Sequence, residues 1–155
     1  MDALAITREL IRQKLVGQES VARNKLLDTT TADTIARFGA ELPDAGNIAS
    51  IRLIEAQAAL AYWTAWRTLP ITFPKIDIAQ IPAHWLNLGT RISPLTGSPR
   101  LSVNPPNAML NYLYAVLESE ARLAATALGL DPGLGVLHAD SGNRDSLALD
   151  LISIL

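Results

Sequence analysis

Apolar side chains in the first 15 residues recur at three- and four-residue steps, which predicts an amphipathic helix with Asp2 as its N-cap. Gly17 marks the expected end of this helix or a weak point in it, and a second helix is predicted from about Ser20. A third should follow the threonines at 29–31 and stop at Pro43, which cannot continue a helix. The first 43 residues are therefore predicted to form three consecutive helices.

The rest of the chain predicts three further helices separated by proline and glycine. The longest should span 48–69, because this segment is rich in alanine and has no glycine or proline before Pro70. Another opens at 104–105, an asparagine cap followed by proline, and stops at Gly129. A last helix is predicted to begin with Ser146 as its cap and to continue to the chain end.

Prolines dominate the stretch from residue 70 to residue 106, where they break up regular structure. We expect a long ordered connection there, with at most short helices. Loops of this length in a compact domain usually serve a function. The predicted fold class is all-α: a compact multi-helix bundle, one domain over 1–155, with this proline-rich connection at about 70–106.

Composition supports a packed domain, since 49% of the 155 residues are apolar and 18% are charged. The sequence contains no membrane-spanning run and no signal-peptide pattern at its start, so we expect a cytoplasmic protein that does not enter a membrane. The net charge of -2 does not itself indicate a nucleic-acid partner. The first 25 residues are nevertheless locally basic, although a solvated helix face is the simpler explanation: Arg8, Arg12, Lys14, Arg23 and Lys25.

A carboxylate lies on an apolar stripe of the long helix, where Glu55 has Ile51 and Ala59 as neighbours one turn away. Such an acid needs a basic partner such as Arg52 or Arg67, or a bound metal, or a place at the edge of the stripe. The sequence has no cysteine, so any metal must be held by oxygen and imidazole ligands.

Two more candidate ligands lie near the C-terminus. His138 follows a glycine-rich bend that has neither the lysine of a P-loop nor dinucleotide spacing, and a lone histidine there is also compatible with a packing role. Asp150 interrupts an apolar run, and a carboxylate flanked so closely by apolar side chains needs a compensating interaction because its burial is costly. Glu55, His138 and Asp150 together would supply a ligand set suited to manganese or magnesium.

Other chemistry is less well supported. Ser146 is better explained as a helix cap than as a nucleophile, because no serine lies in a nucleophile elbow. His84 has no acid at helical spacing and is expected to be structural or part of a recognition loop. Several aromatic side chains are candidates for stacking on bases, although aromatics at helical spacing are more often core: Tyr62, Trp63, Trp66, Tyr112 and Tyr114.

Four segments in order along the chain resemble the CRISPR-associated Cas1 integrases. The longest is 128–140 with its continuation 144–151, and it is joined by 47–56, 93–97 and 104–114. The resemblance covers almost the whole chain. It implies the helical catalytic domain of the family, without the N-terminal β domain that precedes it in those proteins, and a chain incomplete at both ends relative to them.

The resemblance also implies a function. Family members insert new spacer DNA into CRISPR arrays with a divalent metal, as homodimers with a Cas2 partner. Carried over by motif, Glu55 and His138 match metal ligands, and Asp150 matches an active-site acid nearby. The implied activity is a metal-dependent DNA integrase or endonuclease acting on spacer and CRISPR-repeat DNA, with Mn or Mg as cofactor.

One departure from the family pattern keeps two alternatives open. A second acid commonly stands three residues beyond the position of Asp150, but this chain has Ser153 there, and a hydroxyl is a poor ligand for a hard cation. The first alternative is a catalytically inert, truncated helical module that binds DNA or a protein partner. The second is a general metal-dependent phosphoesterase that cleaves without joining strands.

Overall fold

The computed structural model describes residues 2–90, 92, 102–137 and 145–153. Those ranges contain five α-helices and no β-strand, only isolated bridge residues such as the pair Pro70 and Asn87, so the predicted all-α class is confirmed. The helices are α1 (Ala3–Asn24), α2 (Thr29–Glu41), α3 (Ile48–Trp66), α4 (Pro105–Ala127) and α5 (Ser146–Ile152).

The first helix is longer than predicted. Asp2 caps α1 as expected, but the helix runs through Gly17 without a break, so the predicted stop there and the separate helix from Ser20 are wrong. A helical glycine costs roughly 0.5–1 kcal/mol relative to alanine. Packing offsets that cost, because α1 buries Ile11 and Leu15 against the next two helices.

Asp28 starts α2 by accepting hydrogen bonds from the backbone N–H of Thr31 at 2.9 Å and from its hydroxyl at 2.6 Å. Both hydrogen bonds lower the pKa of Asp28, and the one from the Thr31 hydroxyl has the larger effect. The helix passes into a 3₁₀ turn at Leu42–Asp44 that contains Pro43, close to the predicted stop.

The long helix α3 ends at Trp66, three residues before the predicted Leu69. The backbone beyond it pairs with the other side of the connection instead: the Leu88 N–H donates to Leu69 and the Gly89 N–H to Arg67, both at 3.0 Å. The described part of the connection otherwise holds only two 3₁₀ turns, Ile78–Gln80 and Ala83–Trp85. The expectation of short helices there is confirmed for those residues.

The main core lies between the first three helices and also takes in Leu137 from the glycine-rich bend. The connection is fastened to the start of α4 by two buried amides: Asn104 and Asn107 both donate to the Leu88 carbonyl, at 2.9 and 3.2 Å. Asn104 also caps α4 through the Asn107 N–H, as predicted. None of the helices in the described ranges is long and apolar enough to cross a bilayer.

The last helix begins one residue earlier than its predicted cap implies. Asp145 occupies the N-cap position and Ser146 is already the first helical residue, so the assignment of Ser146 as cap is wrong. The Asp145 side chain makes no capping bond and instead forms an ion pair with Arg122 of α4. Ser146 itself is buried against the glycine-rich bend.

We expect Asp28→Ala to lower the free energy of unfolding by about 1 kcal/mol at neutral pH, because two donors at the start of α2 lose their acceptor. The folded-state pKa of Asp28 lies below its unfolded value, so the contribution is present above that value and fades as the pH falls below about 4. Urea denaturation across pH measures both effects.

Asp77→Ala is the matched control, since Asp77 precedes a 3₁₀ turn, is exposed and makes no capping bond. An equal loss in both variants, or a loss at Asp28 that does not shrink in acid, would contradict the capping explanation.

Candidate active site

Glu55 lies on α3 at the edge of the buried stripe formed by Ile51, Ile54 and Ala58. Its Oε1 atom is 2.6 Å from the Nζ atom of Lys14 on α1, and both side chains are about three-quarters buried, with exposures of 24% and 22%. Of the alternatives raised by the sequence, the structure thus gives an edge position and a salt bridge. The partner is Lys14, however, and neither Arg52 nor Arg67.

Asp150 is the buried acid of α5, with only 2% of its surface exposed. Its Oδ2 atom accepts hydrogen bonds from the backbone N–H groups of Val136 and Leu137, the latter at 3.0 Å. These hydrogen bonds explain how an acid can lie within an apolar run, because donors to a carboxylate offset the cost of its burial. Whether Asp150 is also a metal ligand stays a prediction.

Arg52 contacts the same residue of the bend. It lies one turn before Glu55 on α3, and its guanidinium donates to the carbonyl of Leu137. Leu137 therefore donates its N–H to α5 and offers its carbonyl to α3, while its side chain is buried in the main core. The two helices that carry Glu55 and Asp150 thus converge on one residue of the bend.

The glycine-rich bend approaches α5 so closely that one position has no room for a side chain. A Cβ atom at Gly135 would lie 2.5 Å from the carbonyl carbon of Ser146, whereas real contacts are essentially never under 3.0 Å. The Leu147 N–H also donates to the Pro132 carbonyl at 2.8 Å. The bend and the start of α5 consequently form one packed unit.

His138 follows Leu137 directly but lies outside the described residues, so its predicted contact with Glu55 and Asp150 stays a prediction. No group of three histidine, cysteine, aspartate or glutamate side chains in the described ranges is arranged to hold a metal ion. The predicted set needs His138 for its third member. Its donor chemistry, two carboxylates and an imidazole, suits a divalent cation.

Ser153 stands where the family resemblance leads one to expect a second acid on α5. Its hydroxyl donates to the carbonyl of Leu149, one turn back on the same helix, at 2.8 Å. The side chain is thus folded back onto its own backbone, a common use of serine near a helix end.

Most of the basic N-terminal segment is engaged within the chain. Arg8 donates to the carbonyls of Leu42 and Ala45 at 3.0 and 2.9 Å, which ties α1 to the corner between α2 and α3. The others form ion pairs, apart from Lys25, which is exposed: Arg12 with Glu9, Lys14 with Glu55, and Arg23 with Glu19 and Asp33. The segment offers fewer free cations to DNA phosphates than its composition indicates.

His84 lies in the connection, within the 3₁₀ turn Ala83–Trp85. With Arg67 and Asn87 it lines an open cavity of about 360 Å³ beside the start of α4. The aromatic trio on α3 contacts itself at ring-centroid distances between 5.4 and 6.2 Å: Tyr62, Trp63 and Trp66. Burial raises the pKa of Tyr62, which is typical of packed side chains. On α4, by contrast, Tyr112 and Tyr114 are exposed.

The contacts of Lys14 with Glu55 and of Arg52 with Leu137 were not predicted from the sequence, which offered Arg52 only as a possible partner of Glu55. The signal for Arg52 was its position three residues before Glu55, on the same side of a helix. For Lys14 the signal was weaker: it adjoins the buried positions Ile11 and Leu15, and its long stem reaches from the edge of an apolar stripe.

Comparison with known proteins identifies the chain's family. Residues 1–155 match the family model described as CRISPR associated protein Cas1, and the chain belongs to this family. It is 32% identical over 123 residues to the CRISPR-associated endonuclease Cas1 2 of Pyrobaculum aerophilum, which covers 79% of this chain and 34% of that protein. The predicted resemblance is confirmed.

Two further relatives give the same family. The CRISPR-associated endonuclease Cas1 1 of Archaeoglobus fulgidus is 39% identical over 99 residues, or 64% of this chain and 25% of that protein. The CRISPR-associated protein Cas1 3 of Methanobrevibacter ruminantium is 29% identical over 164 aligned residues, or 96% and 44%. The chain spans less than half the length of these relatives. No solved structure matches it.

We expect Asp150→Ala to lower the free energy of unfolding by about 1–3 kcal/mol, because it leaves the N–H groups of Val136 and Leu137 without their acceptor. Asp150→Asn keeps an amide oxygen at nearly the same place and should lose less. Urea denaturation compares the two variants. Equal losses would show that the hydrogen bonds to the bend are not what Asp150 contributes to stability.

Gly135→Ala should cost about 1–3 kcal/mol, because its Cβ overlaps Ser146 and either the bend or α5 must shift. Gly17→Ala provides the matched control. Its Cβ meets nothing within 4 Å, so it should instead stabilise α1 by roughly 0.5–1 kcal/mol. Thermal unfolding measures both changes, and a stabilising Gly135→Ala would contradict the close packing described here.

Proposed function

We propose that this chain supplies the catalytic helical part of a metal-dependent DNA endonuclease or integrase that acts in CRISPR spacer acquisition. The supporting observation is that Leu137 is hydrogen-bonded to both Arg52 and Asp150. The helices that carry Glu55 and Asp150 thereby meet at the residue that precedes His138. Membership in the Cas1 family supports a nuclease by resemblance, since relatives bear the name CRISPR-associated endonuclease.

The metal ligands in this proposal are Glu55, His138 and Asp150, with Mn or Mg as the ion. A divalent cation held by them would polarise a scissile phosphodiester for attack by a DNA 3′ hydroxyl, or by water in the hydrolytic reaction. Oxygen ligands with a single imidazole suit both ions.

The protein's own contribution would be placement of these ligands. Arg52 holds the carbonyl of Leu137 and so fixes the chain that leads into His138, while Asp150 holds the N–H of the same residue. Glu55 lies one turn from Arg52 on a helix packed into the core. A site on rigid elements keeps its ligands in position better than a site on loops.

The substrates and partners belong to the same proposal. DNA, as spacer and CRISPR repeat, is the expected substrate, and a second copy of the chain and a Cas2 protein are the expected partners. Phosphate contacts would be made without reading base sequence. Lys25 is the exposed cation of the N-terminal segment best placed for such a role, since its neighbours on α1 are paired within the chain.

Manganese titration by calorimetry, combined with cleavage of a DNA duplex, tests the proposal. Glu55→Gln and His138→Ala should each weaken Mn²⁺ binding by at least about tenfold, as loss of a ligand usually does, and should abolish cleavage. Glu41→Gln and His84→Ala are the matched controls and should leave binding unchanged. Binding that is indifferent to both test substitutions, or no binding at all, would overturn the proposal.

The alternative of an inert helical module draws on Ser153, whose hydroxyl is bonded to Leu149 rather than free to ligate. If the ligand set is only weakened by this residue, Ser153→Asp should tighten Mn²⁺ binding by about tenfold, because it adds an oxygen ligand with charge. An unchanged affinity in Ser153→Asp, together with DNA binding that needs no metal, would favour the inert module. Cleavage without strand joining would favour a general phosphoesterase.

A further inference from the structure

The ion pair between Lys14 and Glu55 differs from the other salt bridges of α1. Arg12 and Arg23 pair with acids that are exposed or on their own helix, whereas Lys14 crosses to α3 and both partners are largely buried. Its Nζ atom is 2.6 Å from the carboxylate oxygen. The acid proposed above as a metal ligand is therefore already neutralised by a cation of the protein itself.

A divalent ion and this ammonium compete for the same negative charge. An ion bound to Glu55 would lie within a few ångströms of Nζ, and in a partly buried setting the repulsion between such charges is far stronger than in water. Relief requires either that Lys14 leaves the carboxylate or that another negative group joins the site. The flexible four-carbon stem of lysine lets Nζ move while its base stays packed.

A DNA phosphate is the negative group that would meet both needs. It can accept the ammonium that leaves Glu55, and its charge offsets that of the incoming ion. Metal and DNA would then each favour the binding of the other, since coupling between two ligands is reciprocal.

We propose that Lys14 couples metal binding to DNA binding: it occupies Glu55 while DNA is absent and moves to a phosphate when DNA arrives, which opens Glu55 to the divalent ion. This rests on the proposed metal site at Glu55. Lys14 is thus a positioning residue that keeps the site closed to metal without its substrate, and the probe of its role is metal affinity rather than turnover.

Calorimetric titration with Mn²⁺, with and without a short phosphorothioate DNA duplex that resists cleavage, tests this role. In the unmodified chain the duplex should tighten Mn²⁺ binding by about tenfold, within the usual range of such couplings. Lys14→Gln should bind Mn²⁺ about tenfold more tightly without DNA, and the duplex should then have little further effect. Lys75→Gln, which removes the same charge from an exposed position in the connection, should behave as the unmodified chain.

Two further variants separate charge from packing. Lys14→Arg keeps the charge and should keep the dependence of Mn²⁺ affinity on DNA. Lys14→Met removes the charge but keeps the apolar stem, so it should show the tighter Mn²⁺ binding expected of Lys14→Gln and can replace that variant if it folds poorly. Mn²⁺ binding that is unchanged or weaker in Lys14→Gln and Lys14→Met would overturn the coupling and leave the metal site intact, with Lys14 merely orienting Glu55. Absence of Mn²⁺ binding in every variant would overturn the metal site, and the coupling with it.

Discussion

Leu137 is the residue on which the described site depends. Its N–H is held by the buried carboxylate of Asp150, its carbonyl by Arg52, and its side chain by the core of the first three helices. A glycine-rich bend has little reason of its own to adopt one conformation. The three attachments give this bend a defined place between α3 and α5, and they make fold stability and site geometry parts of the same network.

The helices were predictable where local signals are strong. The asparagine cap at 104 and the proline at 43 are such signals, and the structure places helix boundaries close to them. The prediction failed where tertiary contacts override local preference. Gly17 stays helical because α1 is packed along its length, and α3 stops at Trp66 because the chain beyond it pairs with residues 86–89.

The candidate acids were predictable only in part. Glu55 and Asp150 stood out as charges among apolar neighbours, and family resemblance gave them a role. Their partners did not stand out, because the Lys14 contact depends on how α1 packs beside α3, and the Asp150 contact depends on the path of a bend. Helical periodicity predicts neither contact, because it indicates which face of a helix is buried but not which residues pack against that face.

Arg8 has a consequence for how the helices keep their alignment. By holding the carbonyls of Leu42 and Ala45 it anchors α1 against the corner that leads into α3, while Lys14 meets Glu55 farther along both helices. The two contacts together fix both the position and the rotation of α1 against its neighbours. One residue inserted between Arg8 and Lys14 would rotate Lys14 by about 100° around the helix axis and away from Glu55. Both contacts can therefore form only with the spacing of six positions along α1.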